Sequence, residues 1–459
     1  MKYLVVFLYL FLGYTFQFSQ QALTEDAFLS LVKQNHPLIK ISNLQPEYGT
    51  AYLLKARGGF DPKIQGALEQ KYFDGKQYYS LSDYGIKFPT WYGITLKTGL
   101  EGNRGTYLNP QGKTPAGGLF YGGIGLNLGQ GLVIDQRRAD LWSAQINQQA
   151  TIEERKLQVN KLLYESGYAY WDWFLSFHTV EILDEAYQVA LQRFNAVKQT
   201  AILGDRAYID TVEAGLQVQN RLSLLRDAEA NYREKCNAQS TFLWSDQQEP
   251  LVLGETTTPT AQKEWVASAE IPFQSDSLLK KHPYLTITTF KINMLEIDRK
   301  LKSDRLKPTV QLNYNILNEP INYNPLSDLD ITDYKWGFSV EMPLFLRKER
   351  ADVKLATLKI NETQLNLTQV EAELNMKIKN AQVALANSLI QLEIYRQIVA
   401  DSKKLLDAER NMFDNGESSL FLINMRELTY IQSQLKYLEW QAKNKQLGYS
   451  LGFATATLF

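Results

Sequence analysis

Two stretches of the chain carry apolar positions at the spacing of helices that wind around one another. Ile378, Leu385, Leu392, Val399, Leu406 and Phe413 recur every seven residues, which is the period of a coiled-coil seam. No proline lies within Ala116 to Glu249 or Leu344 to Phe459, so both stretches can be helical throughout. The second predicts a helix from Arg347 to Asp414, on the order of 100 Å long at about 1.5 Å per residue. A compact domain needs no such helix. Asn415-Gly416 then tolerates a left-handed turn, and Glu417-Ser418-Ser419 suits a new helix start. The first stretch behaves alike, with a helix over Ile134 to Leu203, a turn at Gly204-Asp205 and a return helix that fades near Trp244. A further helix of about 30 residues is expected from near Asp276. Two long helical hairpins result.

Ahead of each long helix the pattern changes to alternation. Lys63 to Leu68, Leu119 to Leu128, Thr309 to Tyr314 and Trp336 to Met342 alternate polar and apolar residues, which predicts strands over about 60–73, 117–128, 307–319 and 334–343. Strands of about 10–12 residues can cross an outer membrane at a tilt. Trp91, Tyr92, Phe120, Tyr121, Tyr334, Trp336 and Phe338 could form its aromatic girdles, although a soluble sheet with an aromatic core has the same signature. Residues 74–116, rich in Gly, Tyr, Asn and Pro, read as a long loop with a possible hairpin around Trp91 to Leu100. Four strands cannot close a membrane barrel, because open edges in lipid leave backbone groups unpaired. A barrel would have to be shared between chains, with eight or twelve strands as the small solutions.

The chain also repeats itself. His36-Pro37 precedes Pro62 by the same interval that separates His282-Pro283 from Pro308. Arg138-Ala139-Asp140 precedes Gly204 as Arg350-Ala351-Asp352 precedes Gly416. Equal spacing at both ends indicates two copies of one unit, residues 21–246 and 275–459, joined by an aperiodic linker over 247–274. The insertion within 74–116 accounts for the greater length of the first copy.

Composition excludes several classes. Lys+Arg 49 against Asp+Glu 50 gives a net charge of −1, with no basic excess to neutralise nucleic acid. A single cysteine, Cys236, and three scattered histidines, His36, His178 and His282, give no zinc spacing and no intrachain disulfide. No constellation suits nucleophilic catalysis, no enzymatic activity is expected, and no cofactor is implied. Gly122-Gly123-Ile124-Gly125 lies in a strand rather than in a phosphate-binding loop. Tyr164, Tyr168, Trp171 and Phe174 form a packing stripe, and His36 and His282 mark helix starts. Residues 1–20 carry one side-chain charge and then an apolar run, as an export signal does; the run is shorter than the about 20 residues of a spanning anchor.

The signal, the duplicated strand-and-long-helix unit, the paired His-Pro and Arg-Ala-Asp motifs and the turn glycines Gly204 and Gly416 together resemble the TolC-type outer-membrane efflux proteins. The resemblance covers essentially the whole chain after the signal. It implies a mainly α fold with membrane β: a homotrimer with a twelve-stranded β-barrel continued by a periplasmic α-helical coiled-coil tunnel. It further implies an outer-membrane exit duct for efflux or type I secretion, which docks at its periplasmic tips with an adaptor (membrane fusion) protein driven by an inner-membrane transporter. The competing reading is a soluble periplasmic coiled-coil adaptor, which would show one hairpin rather than two copies.

The same resemblance places the gate near the helix turns, at Gly204, Asp205, Arg206, Asp210, Glu213, Phe413, Asn415, Gly416, Leu422 and Met425. Asp210, six residues past Gly204, matches the constriction acid of the family, with Glu213 one turn on. Leu422 and Met425 take the corresponding places in the second copy, and Phe413 stands where a gating tyrosine can occur. A tyrosine-to-aspartate latch is therefore not expected, and a partly apolar entrance is. On an ordinary solvated helix face, Arg206 would pair with Asp210 at i,i+4.

Overall fold

The computed structural model describes residues 22–254, 257–259, 279, 281–320 and 330–459. The expected export signal lies outside the described residues, as do much of the 247–274 linker and the helix start near Asp276. The described chain opens with α1 (Glu25–Asn35) and α2 (Pro37–Arg57). Strands β1 (Lys63–Phe73), β2 (Lys76–Pro89), β3 (Ile94–Arg104) and β4 (Leu119–Asn127) follow. Then come α3 (Gln136–Ile202), α4 (Tyr208–Ser240) and α5 (Pro283–Asp304). Strands β5 (Thr309–Asn318) and β6 (Tyr334–Glu341) precede α6 (Arg347–Asp414) and α7 (Leu420–Thr455). Contacts group the chain into two units: described residues of 1–42, 156–280 and 373–459, and residues 43–155 and 281–372.

The second unit holds the sheet. Its strands pair in the order β1-β2-β3-β4-β5-β6, every neighbour antiparallel. The expected four strands are therefore six, because 74–116 is not a long loop: it contains β2 and β3. Their signal is diluted by Ser80, Ser82, Gly85 and Gly99, which belong to loop composition yet sit at regular strand positions. The register sorts side chains into two faces. One carries Ile64, Leu68, Tyr84, Ile86, Leu96, Leu100, Ile124, Leu312, Tyr314, Trp336 and Phe338, and bears charge only at Lys76 and Arg104, toward one end. The other carries the polar set, including Gln65, Asp83, Lys87, Lys97, Glu101, Asn313 and Gln311. Tyr121 lies across Gly99 and Gly85 on this polar face, where an added Cβ would stand 2.5 and 2.7 Å from its hydroxyl, and that hydroxyl donates to Asp83 Oδ1 at 2.8 Å.

Among the described residues, both edges of the sheet are unpaired. Strand β1 is exposed at Ile64 (85%), and β6 at Trp336 (61%). Long apolar edge strands left unpaired are templates for further strand pairing. At the helix-joined end of the sheet, Phe60 stacks on Trp91 with ring centroids 4.3 Å apart and packs with Leu53, Leu141 and Ala144. Asp135 starts α3 by accepting the Arg138 backbone N–H at 2.9 Å, and the Arg138 guanidinium donates to the carbonyls of Gly131 and Leu132. Arg350 of the matching motif is exposed instead.

The first unit is helical. Phe28, Val32, Leu162, Leu163, Tyr170, Trp171, Trp173, Phe174, Leu438 and Ala442 make one buried core. Trp171 and Phe174 of the aromatic stripe are thus packing residues, whereas Tyr164 stacks on Phe453 at 4.7 Å. The Trp171 indole N–H donates to Glu25 Oε1 at 2.8 Å, so the polar atom of a buried ring is satisfied. Ile378, Leu385, Leu392 and Leu406 of the heptad series are all buried. No described helix is long and apolar enough to cross a membrane.

Both histidines act at helix starts. His36 Nδ1 accepts from Leu38 N–H at 3.1 Å, and His282 Nδ1 accepts from Tyr284 N–H at 3.2 Å. Burial holds both imidazoles below the ordinary value, an effect that a hydrogen bond with the Thr241 backbone partly offsets at His36. The neutral ring is thus the folded form, and protonation would remove the capping acceptor. Their contribution is complete above about pH 6.5 and is lost as pH falls through the lower folded values. The melting temperature of the detergent-solubilised protein should fall between about pH 7.5 and pH 5.5, and it should fall less in a His36→Asn/His282→Asn variant, whose amides cap without titrating.

Candidate entrance at the helical turns

The two hairpin turns are built alike. Gly204 (φ +90°) and Gly416 (φ +78°) occupy the left-handed region, open to an unbranched backbone without steric cost. Asp205 N–H reaches back to Thr200 O at 3.0 Å and Gly204 N–H to Ala201 O at 3.2 Å. Glu417 N–H reaches Met412 O at 2.8 Å and Gly416 N–H reaches Phe413 O at 3.1 Å. Each is a Schellman cap, which satisfies the last carbonyls of a long helix. Ser419 then caps α7, its Oγ accepting from Leu422 N–H at 3.3 Å, whereas Ala207 opens α4 with no side-chain cap.

The sequence-predicted residues divide into those the fold joins and those it leaves apart. Arg206 does not pair with Asp210; its guanidinium lies over the Phe413 ring, 4.5 Å from the centroid, in cation–π geometry. This contact links the first turn to the end of α6. Phe413 also lines an apolar cluster with Val197, Ala214, Leu406, Leu420 and Ile423, which packs the four helices together below the turns. Asp210 is half-buried and forms no side-chain hydrogen bond or ion pair among the described residues. Glu213 accepts from Asn424 Nδ2 at 3.4 Å. Leu422 and Met425 are exposed, as are Ile202, Leu203, Tyr208 and Ile209 at the first turn. The exposed surface of the turns is therefore partly apolar.

The strongest polar assembly of this region involves residues not anticipated from sequence. Arg193 NH1 donates to Glu427 Oε2 at 2.7 Å, and NH2 donates to Glu427 Oε1. This is a bidentate pair between side chains only 13% and 9% exposed. Arg410 NH2 donates to Glu427 Oε1 at 3.3 Å, and Arg193 also donates to Asn424 at 3.2 Å. Glu409 accepts from the Ser418 hydroxyl and faces Arg426 at 3.7 Å. Buried Arg221 lies in the same field; desolvation lowers its pKa, and Glu427 counters that shift. A signal existed in the sequence. Glu427 interrupts the seam Leu420, Ile423, Ile431, Leu438, and Arg193 interrupts Ala186, Ala190, Val197. A charge at such a position calls for a partner.

No family model matches the sequence, and no curated protein matches it either. Solved structures do match. The chain has the fold of TolC-type outer-membrane channels. It is similar to the Campylobacter jejuni CmeC outer membrane channel at TM-score 0.67 and 14% identity, over 95% of this chain and 86% of that one. The open state of the Neisseria gonorrhoeae MtrE outer membrane channel gives TM-score 0.69 and 12% identity over 95% and 89%. The outer membrane protein VceC of Vibrio cholerae gives TM-score 0.64 and 12% identity over 94% and 96%.

Removing one member of a buried charge assembly leaves the others uncompensated, at a cost of about 3–5 kcal/mol. Glu427→Gln should therefore lower the melting temperature clearly, followed by tryptophan fluorescence. Arg193→Gln/Glu427→Gln should recover part of that loss, and equal loss in the single and double variants would show that the pair is not coupled. Phe413→Leu, which keeps an aliphatic side chain in the apolar cluster and removes the ring beneath Arg206, should lose about 0.5–1 kcal/mol from the cation–π contact.

Proposed function

We propose that the protein is the outer-membrane channel of a tripartite efflux or type I secretion system. It is a passive exit duct without catalytic activity, located in the outer membrane and extending into the periplasm. The observation that carries this reading is the two-faced sheet: one face apolar and free of charge over most of its height, the other polar, and both edges open. A single copy cannot exist in lipid in that state, because every backbone group there must find a partner. Head-to-tail joining of β6 to β1 of the next copy closes the sheet by symmetry. Three chains give a homotrimer, and with six strands each the shared barrel has eighteen strands rather than twelve.

The turns supply the docking end. Leu203 and Tyr208 are 75% and 80% exposed, beside the glycine caps, and an adaptor protein coupled to an inner-membrane transporter would cover them. The gate lies beside them, with the Arg206–Phe413 contact and the Glu427 assembly holding the hairpins of one chain together. Asp210, repeated three times around the axis, faces the passage with no partner of its own.

Planar-bilayer recording tests the reading. The detergent-purified protein should insert as discrete conductance steps of uniform size, and Asp210→Ala should keep those steps while weakening block by divalent cations. A protein recovered in the periplasmic wash without detergent, giving no steps, would favour the soluble adaptor.

A further inference from the structure

One row of the sheet opposes like charges. In register order across the strands it reads Lys63, Lys87, Lys97, Gly123, Asn315, Lys335. Lys63 stands directly opposite Lys87, and Lys87 directly opposite Lys97. Like charges in directly opposed positions destabilise a sheet, and none of these four lysines has a carboxylate within ion-pair reach among the described residues. All lie on the polar face. The inserted strands β2 and β3 supply two of them, Lys87 and Lys97.

The surroundings hold the charges in place rather than neutralise them. Lys97 Nζ donates to Asn313 Oδ1 at 2.7 Å. Asn315 Oδ1, in the same row, is buried without a hydrogen-bond partner. A concavity of about 320 Å³ lies along the row, lined by Lys63, Lys87, Lys97, Arg137, Gln311 and Asn313. Arg137 adds a cation that Asp135 partly occupies at 3.3 Å. Within β2 and β3 the acids of this face nearest Lys87 and Lys97 are Asp83 and Glu101, four residues further along, about 14 Å away. That exceeds the screening length of about 8 Å at physiological salt. Both acids are also engaged, Asp83 by the Tyr121 hydroxyl and Glu101 by Asn103 Nδ2 at 2.7 Å.

We propose that Lys63, Lys87 and Lys97 of this row, with the concavity they line, are a binding belt for solutes bearing several phosphate or carboxylate charges, set at the helix-joined end of the sheet. In the trimeric channel proposed above, on which the belt's place in a lumen rests, these three lysines recur in each chain and give nine around the passage. A ring of fixed cations concentrates polyanions at the pore wall. The unmatched lysine pairs are then retained for binding, at the expense of sheet stability.

Calorimetric titration of the detergent-solubilised full chain with sodium tripolyphosphate reads the belt whether or not the particle conducts. The wild-type protein should bind, with an affinity that falls as salt rises. Lys87→Gln/Lys97→Gln should weaken binding about tenfold or more, and Lys63→Gln should weaken it in the same direction. Melting temperatures should stay level or rise, because the opposed charges are gone. Glu101→Gln should leave binding unchanged. No binding by the wild type, or binding by both lysine variants as tight as the wild type's, overturns the belt. Binding without conductance steps in bilayers overturns the channel reading and leaves the belt standing, and conductance without binding does the reverse.

Discussion

The unpaired backbone of two sheet edges is the constraint on which the rest depends. Strands β1 and β6 each offer a row of N–H and C=O groups that no other described strand takes up, and among the described residues the apolar face beside them is equally unpartnered. In water such a sheet would aggregate through its edges, and in lipid the unpaired groups would be prohibitively costly. Symmetric closure with further copies satisfies the backbone and gives the apolar face a matching solvent. In the proposed channel alternation has a purpose on both sides: Leu68, Leu96 and Trp336 would meet hydrocarbon, while the opposed lysines and the Asp83–Tyr121 contact would meet water.

The helical unit solves a different problem. Helices as long as α3 and α6 gain little from propensity and depend on side-chain seams for their association. Along most of their length those seams are apolar, as at Leu385 and Leu392. Toward the turns they become ionic, where Arg193, Arg410 and Glu427 replace aliphatic residues. An apolar seam tolerates sliding between helices, whereas a bidentate pair fixes one register and one partner. The turns, where Leu203 and Tyr208 are exposed, are thus tied together by directional contacts.

The long helices were legible because proline is absent and apolar residues recur over many turns; no competing structure has that period. The turns were legible because only a residue free of a Cβ takes φ near +80° without cost, and Gly204 and Gly416 interrupt otherwise glycine-poor stretches. Strands β2 and β3 escaped notice because each face position that would signal burial is filled in part by serine or glycine. Only the register shows that Gly85 and Gly99 make room for Tyr121. At the candidate site, the identities of Arg206 and Phe413 were legible but their contact was not, since local spacing pointed Arg206 at Asp210. The Glu427 assembly joins residues more than two hundred positions apart, and a sequence shows the anomaly of a charge in a seam without showing which charge answers it.

Closure of the sheet between copies is the central claim, and single-particle imaging of the detergent-extracted protein tests it most directly. The account predicts three chains around one axis, with β6 of each hydrogen-bonded to β1 of the next and six strands from every chain in the wall. A monomeric particle, or a trimer whose β1 and β6 edges remain apart, would contradict it.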